Sequence, residues 1–566
     1  MTQLQQSYMC GDANEALIYE TIGNYFDRMV EQFPDNEALV VSHQAIRWSY
    51  REFQQQVDRL ATGLLKLGIQ PGDRVGIWGP NSAEWCLTQY ATAKIGAVMV
   101  CINPAYRLYE LEYALNKVEC RAIIAAERFK TSEYLEMLQQ LAPELASDDP
   151  YALTLEKLPH LQMIIRMGEA STPGMLNFAA VCELGGPEQQ QRLQDLKAEL
   201  LPDDPINIQF TSGTTGRPKG ATLTHCNILN NGYFTAKTMD FTPADRLCIP
   251  VPLYHCFGMV LASLACISTA STAVYPSAAF DPLTTLQVVE AERCTALHGV
   301  PTMFIAELDH PEFASFDLST LRTGVMAGAP CPEEVMKRVM GDMHMEHILI
   351  GYGQTEVSPL NHLTKPQDPV AKRIETVGKA FPRVEVKVAD EKGRPVAIGE
   401  KGEICTRGYS VMLGYWNDEE KTRETIDATG WLHSGDIGIM DAEGYVRVAG
   451  RTKDMVIRGG ENIYPREVEE FLYAHPLIQE VQVFGVPDER MGEEVCAWIK
   501  LMPGETLTAE AIKEYCQGNI THFKIPRYIE FVEDYPMTVT GKIQKFKMRE
   551  QMAELLKARE SALVAV

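Results

Sequence analysis

The chain has no Cys-x-x-Cys pair, no low-complexity tract and no internal repeat, and it is short of basic residues. Each deficit closes off a class of protein. The 14 cysteines are scattered from Cys10 to Cys516, which argues against a disulfide framework and for free thiols in a reducing compartment. Lys+Arg number 52 against 76 Asp+Glu, a net charge of −24, so nonspecific attraction to nucleic acid or to an anionic membrane is disfavoured. Any anionic ligand must be met by local cations. Ahead of the first basic residue, Arg28, stand Asp12, Glu15, Glu20 and Asp27, the reverse of a secretory or mitochondrial leader, so a cytoplasmic location is expected. Charge is absent altogether from Leu247 to Phe280. Pro250, Pro252, Gly258 and Pro276 interrupt that stretch and it is rich in Ser and Thr, which predicts buried core and no transmembrane segment. Peripheral membrane contact and a homo-oligomer stay open.

What is present is a soluble globular composition, 45% hydrophobic and 23% charged over 566 residues, long enough for roughly two to four domains. Ser49 to Leu67 predicts an amphipathic helix, with Ser49 and Glu52 as a capping box and Gly68 as its stop. Strands at Arg74–Trp78, Ala97–Ile102 and Ala122–Ala126 alternate with helices at Ser82–Ile95 and Leu108–Lys117, the pattern of an α/β domain with mostly parallel strands. The acidic, proline-containing segment Ala142–Pro159 reads as a surface excursion. From Val384 to Arg451 the texture changes to short strands with Gly-rich turns, which predicts a small antiparallel sheet or barrel. Beyond Arg451 strands at Met455–Ile457, Gln479–Phe484, Val495–Leu501 and Tyr528–Val532, with helices from Pro465 and over Thr508–Gly518, make a compact α+β unit.

The most informative stretch is Thr211-Ser-Gly-Thr-Thr-Gly-Arg-Pro-Lys-Gly220. Glycines admit an anion to the backbone, hydroxyls donate to it and Lys219 supplies charge, so it reads as a phosphate cradle. It is not a Walker loop: Pro218 stands where that motif has glycine, and Gly220 follows the lysine in place of a hydroxyl. The strand Ile206–Phe210 before it, and Thr224 as the cap of a helix starting near His225, predict that helix amides and dipole also face the anion. Gly351-Tyr-Gly-Gln-Thr-Glu356 ends a second buried strand. Glu356 there suits a Mg²⁺ ion and Tyr352 a flat base, though alone the hexapeptide could be a turn. Ser434-Gly-Asp436 and Gly450-Arg451 offer a carboxylate and an arginine for a ribose. Singly, each is more often a turn or an ion pair. Thr538-Val-Thr-Gly-Lys542 lies in a tail where six Lys or Arg face three acids between Thr521 and Arg549. His344-Met-Glu-His347 lacks zinc-site spacing, and no zinc is expected.

Taken in order, Thr211–Gly220, Tyr352–Glu356, Asp436, Arg451, Arg458-Gly-Gly-Glu-Asn-Ile-Tyr-Pro465 and Gly541-Lys542 resemble the adenylate-forming, AMP-binding superfamily of acyl-CoA synthetases. The resemblance runs from about Tyr19 to Arg549. Gly324–Pro330, Gly408–Trp416 and His522–Arg527 are most similar to medium-chain fatty acyl-CoA synthetases. It implies an N-terminal domain, 1–452, of helix-covered sheets with a β-barrel-like subdomain, and a small mobile α+β lid, 453–566, that carries the catalytic Lys542. It also implies ATP, coenzyme A and Mg²⁺ at Glu356, and ligation of a fatty acid to coenzyme A through an acyl-adenylate. ATP and AMP would be bound by Thr211, Ser212, Gly213, Thr214, Thr215, Gly216, Lys219, Gly328, Ala329, Pro330, Tyr352, Gly353, Gln354, Thr355, Asp436, Arg451 and Lys542. Gly459 and Gly460 would pass the pantetheine arm and Lys453 would be the hinge. Val300, Ala327 and Gly328 would line the acyl pocket. Lys542, Glu356, Thr211 and His255 would serve the chemistry, with His255 also readable as a satisfied buried histidine. A Cys/His nucleophile at Cys256 is disfavoured, because adjacent residues point apart and no third group orients them. The rivals are an aryl- or branched-acid CoA ligase and a non-catalytic nucleotide-binding protein, the latter expected to lack Lys542 or Glu356.

Overall fold

Local signals set the first elements. Ser49 accepts from the Glu52 N–H while the Glu52 carboxylate accepts from the Ser49 N–H, so the expected capping box opens the helix Tyr50–Lys66. Its apolar stripe of Phe53, Val57, Leu60, Ala61 and Leu64 is buried. The strand Arg74–Trp78 and the helix Leu108–Lys117 have the expected bounds, and Ala83–Ile95, Val98–Cys101 and Ala122–Ala125 fall just inside theirs. This computed structural model describes residues 4–147, 149–211, 218–329, 331–458, 461–488, 490–538 and 542–564.

Two large sheets share one hydrophobic core that runs from Ile22 to Val446. In the eight-stranded sheet Leu176–Asn177, Met163–Arg166, Ala122–Ala125, Arg74–Trp78, Val98–Cys101 and Pro205–Thr211 run parallel in that spatial order. Lys219–Thr224 and Gly414–Tyr415 then close that edge antiparallel. In the nine-stranded sheet the parallel centre includes Thr272–Tyr275, Arg246–Cys248, Thr323–Ala327 and His347–Gly353. The uncharged stretch Leu247–Phe280 supplies most of two of those strands and the helical run Cys256–Thr269, which takes a wide turn over Met259–Leu264 and is buried up to Ser268. Among the described residues no helix is long and apolar enough to cross a membrane.

The segment Ala142–Pro159 runs over the surface as expected, mostly exposed and anchored by buried Leu145, Leu153, Leu155 and Leu158. One expectation changes, at the phosphate-cradle segment. Thr211 pairs with Lys219 across an antiparallel hairpin, and the strand Lys219–Thr224 intervenes before the helix His225–Thr238. Thr224 does cap that helix, but a six-residue strand, about 20 Å, separates the helix amides from the loop. The alternation of Thr222, Leu223 and Thr224 was too short to be read as a strand. The described ends of the loop, Thr211 and Lys219, therefore lie a strand's length from the amides of that helix.

The third sheet is antiparallel, as expected from Val384 on: Tyr8–Cys10, Val384–Ala389, Lys401–Gly408, Leu432–Met440 and Val446–Arg451, in that order and open among the described residues. Beyond it, residues 456–552 build two clusters of their own, one around Val481, Val495 and Ile512, the other around Phe484, Trp498 and Met548, sharing no residue with the main core. The strands Val456–Arg458, Ile478–Asp488, Gly492–Leu501 and Tyr528–Phe531 and the helices Pro465–Tyr473 and Ala509–Cys516 match the expected α+β unit. The long helix Lys545–Val564 was not foreseen. The fold is thus a large N-terminal α/β part with a small α+β C-terminal part. Among the described residues, the polar contacts that join them include Lys401 with Glu467 at 2.7 Å and Gln479 Nε2 with Asp309 Oδ2 at 2.9 Å.

Candidate active site

The hairpin sets Lys219 and Thr211 side by side at the end of the eight-stranded sheet. The Lys219 ammonium donates to the Tyr415 hydroxyl at 3.0 Å, and that hydroxyl donates to Glu356 Oε1 at 2.8 Å. Thr211 Oγ1 donates to the same carboxylate oxygen at 3.4 Å. Glu356 rises from the strand His347–Gly353 on a short turn, Thr355–Val357, capped by the Gln354 backbone, and is buried to 9% exposure. A Cβ at Gly353 would lie 1.9 Å from the Pro359 carbonyl oxygen, so only glycine lets the chain turn there. Burial lowers the Lys219 pKa and the Glu356 charge opposes that shift. Tyr415 is the residue that sequence reading missed here. It lies within the Gly408–Trp416 run, and its one signal was a polar aromatic ending a Gly-rich segment.

A second group lies where the third sheet meets the second. Asp436 faces Arg451 across neighbouring strands; it accepts from Arg451 Nε at 3.0 Å and from the Tyr352 hydroxyl at 2.7 Å. Asp436 reaches that position on a bulge. Between the pairs Glu403–Ile437 and Cys405–His433 one residue, Ile404, faces three, Ser434, Gly435 and Asp436. Gly435 takes φ +72° and donates its N–H to Glu403 Oε1 at 2.9 Å, while Glu403 Oε2 lies 2.7 Å from His433 Nδ1. Glu403 and His433 therefore hold the bulge that presents the carboxylate. Neither was singled out from sequence, because their pairing exists only across strands.

Lys542 arrives from the C-terminal part. Its backbone is tied to Thr538 by bonds of 2.7 and 3.0 Å, and its side chain enters the cleft: a Cβ built at Gly328 would sit 3.6 Å from Lys542 Cε and 3.4 Å from Val300 Cγ1. Gly328 has φ +89°, which also favours glycine. Burial lowers the Lys542 pKa and Arg451 adds to the effect, while Glu356 and Asp436 pull the other way. The ammonium thus feels both carboxylates named above. His255 stands nearby. Its Nδ1 accepts from the Phe257 N–H at 3.1 Å, and burial, then Lys542, push its pKa down to about 3, so the ring is neutral. Cys256 is fully buried, its thiol bonds Gln209 Oε1 at 2.9 Å, and burial raises its pKa, which leaves no nucleophile there.

Most of the expected set is therefore in one cleft: Thr211, Lys219, Gly328, Tyr352, Gly353, Glu356, Asp436, Arg451 and Lys542, with Val300 and Ala327 buried on its wall. Ala329 is exposed beside Gly328, Thr355 lies against Cys256, and Lys453 is exposed in the turn Thr452–Asp454. Ser212, Gly213, Thr214, Thr215, Gly216, Pro330, Gly459 and Gly460 lie outside the described residues.

Arranged this way, the cleft can neutralise a polyphosphate from two lysines, hold a diol at a carboxylate–arginine pair and place both beside an apolar wall. Known proteins agree in extent. Residues 26–416 match the AMP-binding enzyme family and residues 467–542 its C-terminal domain. Medium-chain acyl-CoA ligase ACSF2, mitochondrial, of Danio rerio is 48% identical over 556 residues, covering 98% of this chain and 92% of its own. Putative acyl-CoA synthetase YngI of Bacillus subtilis (strain 168) is 48% identical over 546 residues, 96% of this chain and 99% of its own. Among solved structures, the anthranilate CoA ligase AuaEII in complex with anthranoyl-AMP has a TM-score of 0.85 at 28% identity, covering 97% of this chain and 100% of its own. ATP-bound MatB from Rhodopseudomonas palustris gives 0.77 at 28%, covering 94% and 99%. This chain belongs to the AMP-binding enzyme family. Within that family it is an adenylate-forming acyl-CoA ligase.

Proposed function

We propose that the ligase activates medium-chain fatty acids, with Mg²⁺ accompanying ATP. The observation that carries the chain-length reading is the 48% identity, over 98% of the chain, to a relative named a medium-chain acyl-CoA ligase. In the first step a carboxylate oxygen attacks the α-phosphorus of ATP and pyrophosphate leaves. In the second the sulfur of coenzyme A attacks the acyl carbonyl carbon and AMP leaves.

The first step brings two anions together, and positive charge aimed at the reacting phosphate lowers that barrier. Lys219, held by Tyr415, and Lys542, beside Gly328, supply it. Glu356 and Thr211 offer hard oxygen donors only, a set that fits Mg²⁺ shared with phosphate oxygens. When bound, that ion would neutralise phosphate charge. Asp436 and Arg451 take the ribose hydroxyls, and Tyr352, fixed through its hydroxyl, offers a ring face to adenine. Val300 and Ala327 wall the acyl chain. With Nδ1 occupied and its pKa near 3, His255 is a weak base in this arrangement and shapes the entrance.

We assign residues 1–452 and 453–566 to the two domains, with the turn at Lys453 as the hinge. Its swing would withdraw Lys542 after adenylation and bring Gly459 and Gly460 to the pantetheine path. The test is pyrophosphate release with ATP, Mg²⁺ and linear fatty acids of graded length, with benzoate and anthranilate in parallel. The expected maximum falls at intermediate chain length. Faster release with the aryl acids than with any linear acid would replace this reading with the aryl one, which the AuaEII likeness makes the natural second choice.

A further inference from the structure

Three donors of different chemistry converge on the third sheet, at the base of the bulge that carries Asp436. Glu403 Oε2 lies 2.7 Å from His433 Nδ1, and Cys405 Sγ lies 3.6 Å from the same nitrogen and 4.0 Å from the same oxygen. Ligand edges of a tetrahedral zinc with N, O and S donors are about 3.4–3.6 Å, from bond lengths of about 2.0–2.3 Å. The S–N edge of 3.6 Å is at those values already and the S–O edge of 4.0 Å is somewhat longer, while the N–O edge is closed by the hydrogen bond that a cation would replace. Cys405 is buried at the floor, with Glu403 and His433 partly open to solvent above it, which leaves room for a water as fourth ligand.

The surrounding shell is also built. Ligating carboxylates and histidines have their other heteroatom tied by an outer partner. Glu403 Oε1 accepts from the Gly435 N–H at 2.9 Å, and His433 Nε2 lies 3.6 Å from Asp427 Oδ2. Asp427 is itself fixed, because its Oδ1 accepts from the Thr429 N–H, the Thr429 hydroxyl and the Trp431 N–H. Both first-line groups thus turn one atom outward to an anchor and the other inward to the same point.

The geometry points to a transition-metal site at Glu403, Cys405 and His433, of the class that takes Zn²⁺, oriented by Asp427 and Gly435. The expectation of no zinc came from contiguous spacing, which cannot see donors paired across two strands. Metal binding there would displace the hydrogen bond between Glu403 and His433 and release the Cys405 proton. It would also load the base of the bulge that carries Asp436.

The test uses the reduced, chelator-treated full chain titrated with Co²⁺ as a spectroscopic stand-in for Zn²⁺. One equivalent should bind with a thiolate-to-cobalt charge-transfer band, and should quench the emission of Trp431, which packs on Cys405. Zn²⁺ should displace it and Mg²⁺ should not. Cys405→Ser should abolish the band, and Asp427→Asn should weaken Co²⁺ binding about 10-fold or more. Absence of the band, or an undiminished band in Cys405→Ser, overturns the proposal. Should Cys405→Ser fail to fold, His433→Ala serves: a native melting transition with unchanged Co²⁺ affinity overturns it equally.

Discussion

The large part and the small part of this chain meet a phosphate ligand in different ways. In the large part Lys219 is fixed: it sits on a hairpin strand within a core that runs from Ile22 to Val446, and Tyr415 ties it to Glu356. In the small part Lys542 is joined to Thr538 by two hydrogen bonds, and the clusters of that part share nothing with that core. The difference teaches that one lysine is built into the main core and the other stands on a separately packed part, which under the proposed swing would deliver it. Burial lowers both pKa values, so the two ammonium groups share a partly desolvated setting in this arrangement.

The comparison can be broken or sharpened in four ways, the largest first. His225, His298 and His362 are all buried in the large part, with pKa values pushed by burial down to about 3, 4 and 3. A depressed pKa means that the unfolded chain takes up protons first. Stability is therefore full above about pH 6.5 and falls as pH drops toward those values, by about 1.4 kcal/mol per pH unit for each histidine. Buried Glu307, whose pKa burial raises, offsets one of them above its unfolded value. In the small part Glu480 is raised by burial to about 7, which has the opposite sign: its contribution is present below about 4.5 and lost as pH rises through 7. Urea unfolding followed between pH 7 and 4.5 should show the large part weakening while Glu480 favours the small one. Parallel losses in both would sink the contrast.

Lys542→Ala should cut pyrophosphate release by about 10²- to 10³-fold, yet thioester formation from supplied acyl-adenylate by less than about 10-fold. Equal losses in both half-reactions would make Lys542 as stationary as Lys219. Tyr415→Phe keeps the ring under Lys219, 4.1 Å from its ammonium, and removes the link to Glu356. Adenylation should fall about 10-fold, the worth of a hydrogen bond to a charged group, with the melting temperature nearly unchanged. Lys401→Ala removes one inter-part ion pair, with Glu467 at 2.7 Å. Because Lys401 is exposed, its effect should be under about 1 kcal/mol, seen as a few-fold loss of adenylation only. A comparable loss of thioester formation would mean that the pair merely stabilises the fold.

How much of this was legible in the sequence follows from what each feature depends on. The helix Tyr50–Lys66 depends on its own cap and stripe, and the cleft residues on short contiguous motifs, so both could be read. Tyr415 could not, because its partners are Lys219 and Glu356, far away in the chain. Glu403 and His433 act only through a register shift between strands, and no spacing along one strand records that. The hairpin at Thr211–Lys219 was misread as strand, loop and helix because a cap at Thr224 was visible while the short strand before it was not. Local chemistry announces itself; pairing across strands does not.

That hairpin has a consequence for turnover. A helix end would present its partial charge to the phosphates permanently, in every state of the enzyme. Here Lys219 and Lys542 stand on two separately packed pieces of the chain, so the proposed swing would change the cationic field between half-reactions. Departure of Lys542 would lower the affinity for pyrophosphate at the moment when that product has to leave.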